Sequence, residues 1–286
     1  RLAYVSRSVV SRVLNHHPKV SEEARARVLK VIEEHHYVPS SVARSLATDR
    51  TFEICIITPR RKDEAIANGF WPLLHLGISE RCIGRGYFVS LTLISAETAD
   101  AINERILTGR VFDGYILITQ EVTELVVPAL QGRNVPMVLI GHDPAYPELS
   151  SIDVDNYDGA YKATAHLIGL GHRRVAAILG SVHLPESADR LEGYRRALHD
   201  AGLDAGDELV AVGNYSEKTG FDVMQRWLGA GDPPRAVFCG SDAIATGALL
   251  ALYKAALAVP DAVAMRAQSP SAMAALRRRA GFTLPR

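Results

Sequence analysis

The chain has 286 residues, 48% of them hydrophobic and 22% charged, a composition that excludes a disordered or fibrous protein and allows a sizeable buried core. No apolar run approaches the roughly 18 residues of a membrane span, and no charged-then-apolar signal segment opens the sequence, so we expect a cytoplasmic protein without membrane contact. The net charge is zero, yet residues 1–50 carry nine basic and five acidic side chains, which puts a basic segment of plus four on a slightly acidic body.

The first predicted element is a short helix that Ser6 can cap. Its apolar residues fall on one side, and these are Val9, Val10, Val13 and Leu14. The polar residues point the other way, and these are Arg7, Ser8, Ser11, Arg12 and Asn15. The pattern predicts an amphipathic helix whose outer side presents arginine, asparagine and small hydroxyl side chains.

A second helix follows the turn at residues 16–19. Ser21 can cap it, and two glutamates in its first turn suit the positive end of a helix dipole. Its apolar stripe consists of Ala24, Val28, Val31 and Ile32. We expect Pro39 to end this helix and a third, shorter helix to occupy residues 41–48.

From residue 52 onward, short apolar runs alternate with amphipathic stretches. Strands are predicted over 52–57, 87–93, 114–118 and 136–140, and again over 152–154, 175–179, 209–212 and 236–239. This alternation predicts an α/β fold with two open, mainly parallel sheets and helices on both faces. Ligands of such folds usually bind at the carboxyl ends of the strands.

The N-terminal motif resembles the DNA-binding headpiece of the lactose-repressor (LacI/GalR) family. The resemblance lies in the segment 5–15, VSRSVVSRVLN, followed by VSEE at 20–23 and YVP at 37–39. It implies that the first helix enters the major groove of an operator in double-stranded DNA. Arg7 and Ser8 would then read bases, Ser11 and Arg12 would contact phosphate or base, and Ser6 and Asn15 would fix the helix against the backbone. The alternative is an ordinary amphipathic helix with a solvated basic side.

The segment ARSL at 43–46 matches the hinge helix of the same family. The resemblance implies that this helix pairs with its copy in a homodimer, with Arg44 at the DNA and Leu46 inserted as an apolar wedge into the minor groove. A lone leucine on a helix is otherwise a core residue.

The body resembles the two-subdomain, periplasmic-binding-protein-like core of the family. The matching segments are VDN at 154–156, GHRRV at 171–175, RLEGY at 190–194 and SDA at 241–243. The resemblance implies an effector site for a sugar or related polar metabolite, made by Asn68, Phe70, Arg190, Tyr215, Ser241 and Asp242. Simpler roles stay open: Arg190 in a surface ion pair, Tyr215 in the core, and Asp242 as the cap of a helix beginning at Ala243.

No pattern in the sequence indicates catalysis, a metal site or a cofactor. The three cysteines, Cys55, Cys82 and Cys239, are isolated and odd in number, which favours neither disulfides nor zinc. The histidines lack metal-ligand spacing, and neither a glycine-rich phosphate loop nor a nucleophile–base pair is evident. We therefore expect a binding protein rather than an enzyme.

The two ends depart from the family pattern. Residues 1–4 match the end of the family's first helix, and Tyr4 stands in the turn where glycine is usual, at a position that favours positive φ. Beyond about residue 262 the family pattern stops, which we interpret as a shifted reading frame. The expected domains are a partial helix-turn-helix headpiece over 1–39, a hinge helix and linker over 40–51, and an effector-binding and dimerisation core over 52–286, with an aberrant tail at 262–286.

These features predict a sequence-specific transcriptional regulator, expected to be a repressor, that a small-molecule effector controls. A non-functional truncated regulator and a periplasmic-type solute-binding protein are the alternatives. A solute-binding protein would carry a secretory signal where this chain has a basic helix-turn-helix, and an α/β enzyme would need catalytic residues that the sequence does not show.

Overall fold

Two short helices form the N-terminal unit. In this computed structural model the described residues are 2–14, 17–37, 45, 50–59, 70–108, 111–130, 135–204 and 206–267. Helix α1 spans Arg7–Leu14 and α2 spans Glu22–Glu34. As predicted, Ser6 and Ser21 cap them: the Ser6 hydroxyl accepts from the Val9 amide at 3.3 Å, and the Ser21 hydroxyl accepts from the Ala24 amide at 3.3 Å.

The small core of this unit lies between the two helices. Val13 of α1 and Val28 of α2 are each only 2% exposed, and Ala24 is 9% exposed. The prediction that α2 runs to Pro39 is wrong, because the helix ends at Glu34. His36 adopts a left-handed φ of 47°, and the Tyr37 amide donates back to the Ile32 carbonyl at 2.9 Å, a closure that stops the helix without proline. The third predicted helix lies outside the described residues apart from Ser45, which is helical.

The first sheet has five strands that all run parallel. They are β1 (Glu53–Pro59), β2 (Phe88–Ile94), β3 (Gly114–Ile118), β4 (Met137–Ile140) and β5 (Ser150–Ile152), in the order β2-β1-β3-β4-β5. Its helices are α3 (Phe70–Ile83), α4 (Ala99–Thr108) and α5 (Gln120–Leu130). Leu117 in the sheet and Val122 and Val126 on α5 are fully buried in one cluster. This unit is the first subdomain.

The second sheet has four parallel strands. They are β6 (Val175–Leu179), β7 (Val210–Val212), β8 (Ala236–Cys239) and β9 (Ala264–Ala267), in the order β7-β6-β8-β9. Its helices are α6 (Asn156–Gly169), α7 (Pro185–Asp200), α8 (Glu217–Gly229) and α9 (Asp242–Lys254), and a 3-10 turn spans Asp207–Leu209. Strands β6 and β8 are buried at every position, as their continuous apolar runs require. This unit is the second subdomain.

The predicted pair of open parallel sheets is confirmed, with two differences along the chain. The strand predicted at 152–154 is observed at Ser150–Ile152, because Asp155 already caps α6 by accepting from the Asp158 amide at 2.8 Å. Strand β9 was not predicted; it pairs in register with β8, from Ala236↔Ala264 to Cys239↔Ala267. The remainder of the expected aberrant tail, residues 268–286, lies outside the described residues.

Helices α8 and α9 cross at two glycines. A Cβ on Gly220 would overlap the carbonyl oxygen of Ile244, and a Cβ on Gly247 would overlap that of Glu217. The helix axes can approach this closely only because both positions lack a side chain. The crossing holds the start of α9 at the end of β8, where Gly240 and Ser241 lie.

Among the helices in the described part of the chain, none is both long and apolar enough to span a membrane.

Candidate nucleic-acid interface and ligand cleft

The outer side of α1 is a polar surface open to solvent. Ser6, Arg7, Ser8, Ser11 and Arg12 are all exposed, whereas the valines of the opposite side face α2. The hydroxyls of Ser6 and Ser8 lie 2.8 Å apart. The amphipathic division predicted from the sequence is therefore observed. Asn15, Arg44 and Leu46 lie outside the described residues.

The arginines of this surface are not neutralised by carboxylates. Within the described residues, Arg7 and Arg12 form no ion pair, while other basic residues of the unit do: Arg25 lies 3.6 Å from Glu22, and Lys30 lies 3.7 Å from Glu34. A guanidinium without a carboxylate partner can give its donors to phosphate or to a base edge. Arg7 and Arg12 are thus available to nucleic acid, as are the exposed Lys19 and Arg27, which also form no ion pair within the described residues.

The predicted turn strain is also present. Tyr4 has a φ of 52° and is 88% exposed, so its side chain gains little packing in return for the left-handed backbone. Such a conformation costs about 1 kcal/mol for a residue with a Cβ.

Arg190 is the centre of a polar network in the second subdomain. Its Nε and Nη2 donate to the Asn156 side-chain oxygen at 3.1 and 2.8 Å. Its Nη1 donates to the Tyr215 hydroxyl at 3.1 Å and to the Gly240 carbonyl at 2.7 Å. These partners come from the start of α6, from the loop after β7 and from the end of β8, so the guanidinium lies at the carboxyl edge of the sheet. No carboxylate of the described residues pairs with it, which argues against the surface ion-pair alternative.

Tyr215 packs over the backbone that follows β6. A Cβ on Gly180 would lie 2.5 Å from its ring, so only glycine leaves room for the ring there. The Arg190 guanidinium lies 5.4 Å from the ring centroid, within the range of a cation–π contact. Tyr215 is half-buried and also packs against the apolar cluster of this subdomain, so it contacts both the core and Arg190.

Ser241 and Asp242 stand at the start of α9. The Ser241 hydroxyl accepts from the Ile244 amide at 3.2 Å and caps the helix, and Asp242 is the first helical residue. The alternative in which Asp242 caps a helix beginning at Ala243 is therefore wrong by one position. Both residues are half-buried beside the Gly240 carbonyl that Arg190 contacts. The predicted cluster of Arg190, Tyr215, Ser241 and Asp242 is brought together at one sheet edge.

Of the two remaining residues of the predicted effector site, Asn68 and Phe70, only Phe70 is described. Phe70 opens α3 and is 54% exposed, with its ring 5.2 Å from that of Trp71 in an edge-to-face arrangement. Asn68 lies outside the described residues.

Two members of the site were missed from the sequence. Asn156 is 2% exposed and orients Arg190, and Gly180 makes room for Tyr215. Asn156 belongs to the VDN segment that carried the resemblance, so that motif was a usable signal. Nothing local marked Gly180.

Residues 1–40 match the family described as "Bacterial regulatory proteins, lacI family", and residues 164–279 match "Periplasmic binding protein-like domain". The chain is 33% identical over 276 residues to the "HTH-type transcriptional regulator CelR" of Thermobifida fusca, covering 96% of this chain and 81% of that protein. It is 36% identical over 269 residues to the "Ribose operon repressor" of Escherichia coli K12, covering 93% of this chain and 79% of that protein.

Solved structures agree with these matches. The "transcriptional regulator CelR-cellobiose complex" superposes with a TM-score of 0.69 at 31% identity, over 92% of this chain and 79% of that chain. The lac repressor dimer bound to operator and the anti-inducer ONPF superposes with a TM-score of 0.78, over 92% and 78% of the two chains. At 24% identity, the second similarity shows the fold alone.

A helix-turn-helix unit followed by two parallel-sheet subdomains with a polar cleft defines a ligand-sensing transcriptional regulator. The chain belongs to the lacI family of bacterial regulatory proteins. The solute-binding alternative does not account for the headpiece match at residues 1–40.

Proposed function

We propose that this protein is an effector-controlled repressor whose helix α1 reads an operator in double-stranded DNA. The observation that carries the proposal is the exposed side of α1, where Arg7 and Arg12 stand without carboxylate partners in the described residues. Arg7 and Ser8 contact base edges in this proposal, Ser11 and Arg12 contact phosphate or base, and Ser6 and Asn15 fix the helix against the backbone. A protein that binds chromosomal DNA acts in the cytoplasm.

The proposed effector is a sugar that binds at the carboxyl edges of the two sheets. The Arg190 guanidinium, held by Asn156, Tyr215 and Gly240, has one N–H group on Nη2 that no described residue accepts from, and it offers this donor to a hydroxyl oxygen. The half-buried ring of Tyr215 offers an apolar face to a sugar ring, and Ser241, Asp242, Asn68 and Phe70 complete the site. The cellobiose complex of one relative and the ribose operon repressor name support this class of effector. The proposed role is binding and regulation, not catalysis.

A second copy of this chain is the proposed partner of the first subdomain. Strand β2 lies at the edge of the sheet, next to α3, and large apolar side chains on both elements are at least half exposed. They are Leu73, Leu76 and Ile83 on α3 and Phe88, Leu91 and Leu93 on β2. A surface of this kind marks a protein–protein interface. A homodimer built on it brings two headpieces to half-sites about one helical turn apart.

Regulation then follows from linkage between the two sites. The effector binds between the subdomains and favours one closure angle, which changes the order of the hinge segment that contains Arg44 and Leu46. Operator affinity changes by the ratio of the effector's affinities for the two states.

The proposal is tested by selecting an operator from randomised palindromic duplexes with the purified chain, followed by fluorescence anisotropy at several salt concentrations. We expect Arg12→Ala to weaken binding at least tenfold and to lower the salt slope by about one, since one phosphate contact is lost. Lys30→Ala is the matched control, because Lys30 is paired with Glu34 on α2. Equal losses for Arg12→Ala and Lys30→Ala would contradict the assignment of α1 to the groove.

A further inference from the structure

A chain of polar contacts runs from the first subdomain to the effector arginine. It begins at His142, which lies just beyond β4. The Nδ1 atom of His142 is 2.8 Å from a carboxylate oxygen of Asp153. The other Asp153 oxygen accepts from the side-chain Nδ2 of Asn156 at 3.3 Å, and the side-chain oxygen of Asn156 accepts from Arg190. Two side chains, those of Asp153 and Asn156, thus connect His142 to the guanidinium.

A second contact joins His142 directly to α7. Its Nε2 lies 3.8 Å from a carboxylate oxygen of Asp189, the residue immediately before Arg190. Each ring nitrogen of His142 therefore faces a carboxylate. A neutral imidazole has one N–H and would turn a lone pair toward one of them, whereas the imidazolium has two N–H groups and suits both.

We propose that His142 is a positioning residue whose protonated ring links the first subdomain to Arg190, so that the order of the first two turns of α7, which carry Arg190, depends on pH. We call the contacts of His142 with Asp153 and Asp189 the His142 bridge. The consequence of the bridge for effector binding rests on the sugar-binding role proposed for Arg190, whereas the contacts of the bridge do not.

The surroundings of the bridge are acidic on every side. Asp155 at the start of α6 and Glu192 on α7 act on Asp189 together with Asp153, while Asp143 on the β4–β5 loop accepts from the Thr123 hydroxyl and the Ala145 amide. Burial raises the pKa of Asp189, and the adjacent His142 opposes that rise. Apart from Arg190, which Asn156 joins to Asp153, His142 is the one basic group among these contacts in the described part of the chain, so loss of its proton leaves Asp153 and Asp189 to repel one another.

Protons reach the ring freely. The His142 side chain is 38% exposed and lines a cavity of about 220 Å³ beside Tyr146 and Pro147. The sign of the effect follows from the geometry: the bridged arrangement binds the additional proton, so a falling pH favours it and a rising pH loosens it.

The test is hydrogen–deuterium exchange of the full chain, followed by mass spectrometry at pH 6.0 and pH 8.0 and corrected for intrinsic exchange rates. We expect peptides from the first two turns of α7 to be protected about threefold more at pH 6.0 than at pH 8.0, the size expected for a partly exposed ion pair. His142→Gln removes this difference. His199→Gln is the matched control, because His199 pairs with Asp200 on the same helix at 3.4 Å but shares no hydrogen bond or ion pair with the described residues of the first subdomain.

His142→Lys distinguishes charge from shape. Lysine is charged at both pH values, so this variant keeps α7 protected at pH 8.0 if the positive charge forms the bridge. An equal change of protection with pH in the wild type and in His142→Gln would overturn the proposal. The protein could also show a pH effect that His142→Gln abolishes and yet bind no sugar at either pH. That result would support the bridge and contradict the sugar-binding role proposed for Arg190.

Discussion

Replacing Gly220 by alanine tests how closely α8 and α9 must approach to hold Gly240 and Ser241 beside Arg190. The new Cβ would overlap the Ile244 carbonyl oxygen and lie 2.9 Å from the Ala248 amide nitrogen. Both are backbone atoms of α9 and cannot rotate away. Relief requires α9 to move, and with it Ser241 at the start of the helix and the preceding Gly240 carbonyl, which accepts from Arg190.

Two effects of opposite sign decide the magnitude. Alanine in place of glycine inside a helix stabilises by about 0.5–1 kcal/mol. Overpacking of a close contact costs about 1–3 kcal/mol, and here the upper part of that range applies because the obstacle is backbone. The net expectation is a loss of about 2 kcal/mol. At about 2–4 °C per kcal/mol for a domain of this size, the melting temperature falls by about 4–8 °C.

Thermal unfolding followed by circular dichroism at 222 nm measures this change. Gly229→Ala is the matched control on the same helix, because a Cβ there meets no atom within 4 Å. Its melting temperature should stay the same or rise slightly. If Gly220→Ala melted at the same temperature as Gly229→Ala, the close crossing and its support of the start of α9 would be refuted.

Three further predictions concern the headpiece and the cleft. Val28→Ala removes a side chain that is 2% exposed in a two-helix unit; it should cost about 2 kcal/mol and abolish operator binding in anisotropy, while the melting of the body is unchanged. Tyr4→Gly relieves a φ of 52° and should raise amide protection in α1 about two- to threefold in hydrogen exchange, whereas Tyr37→Gly, whose φ is not positive, should not. Lysine cannot reproduce the four hydrogen bonds of Arg190, so Arg190→Lys should weaken sugar binding at least tenfold in calorimetry. The melting temperature should fall by no more than a few degrees. An unchanged affinity would remove Arg190 from the site.

Local patterns in the sequence predicted the elements whose signals are themselves local. The valine spacing and the cap at Ser6 identified α1, and the apolar runs identified β3, β6 and β8 at their observed bounds. Burial of both faces of a parallel strand makes such a run continuous and therefore readable without a structure. The strained turn at Tyr4 was predicted because a glycine is usual at that position in the family.

The contacts that build the site were harder to predict, since they join residues far apart in the sequence. Arg190 contacts Asn156, 34 residues away, and Gly240, 50 residues away, while Gly180 acts through the absence of a side chain. The end of α2 depends on a left-handed histidine rather than on proline, and β9 was missed because the sequence beyond about residue 262 was interpreted as a shifted reading frame. Tertiary contacts determine long-range contacts and helix ends of this kind, so local sequence patterns do not predict them.

The most direct test of the account is the affinity of the purified chain for its selected operator, measured by anisotropy with and without a panel of sugars that includes cellobiose and ribose. We predict that one sugar shifts operator affinity at least fivefold, and that Arg190→Ala removes this shift while leaving sugar-free DNA binding intact. Operator binding that no sugar changes, or a sugar response that survives in Arg190→Ala, would contradict the coupling of the cleft to the headpiece.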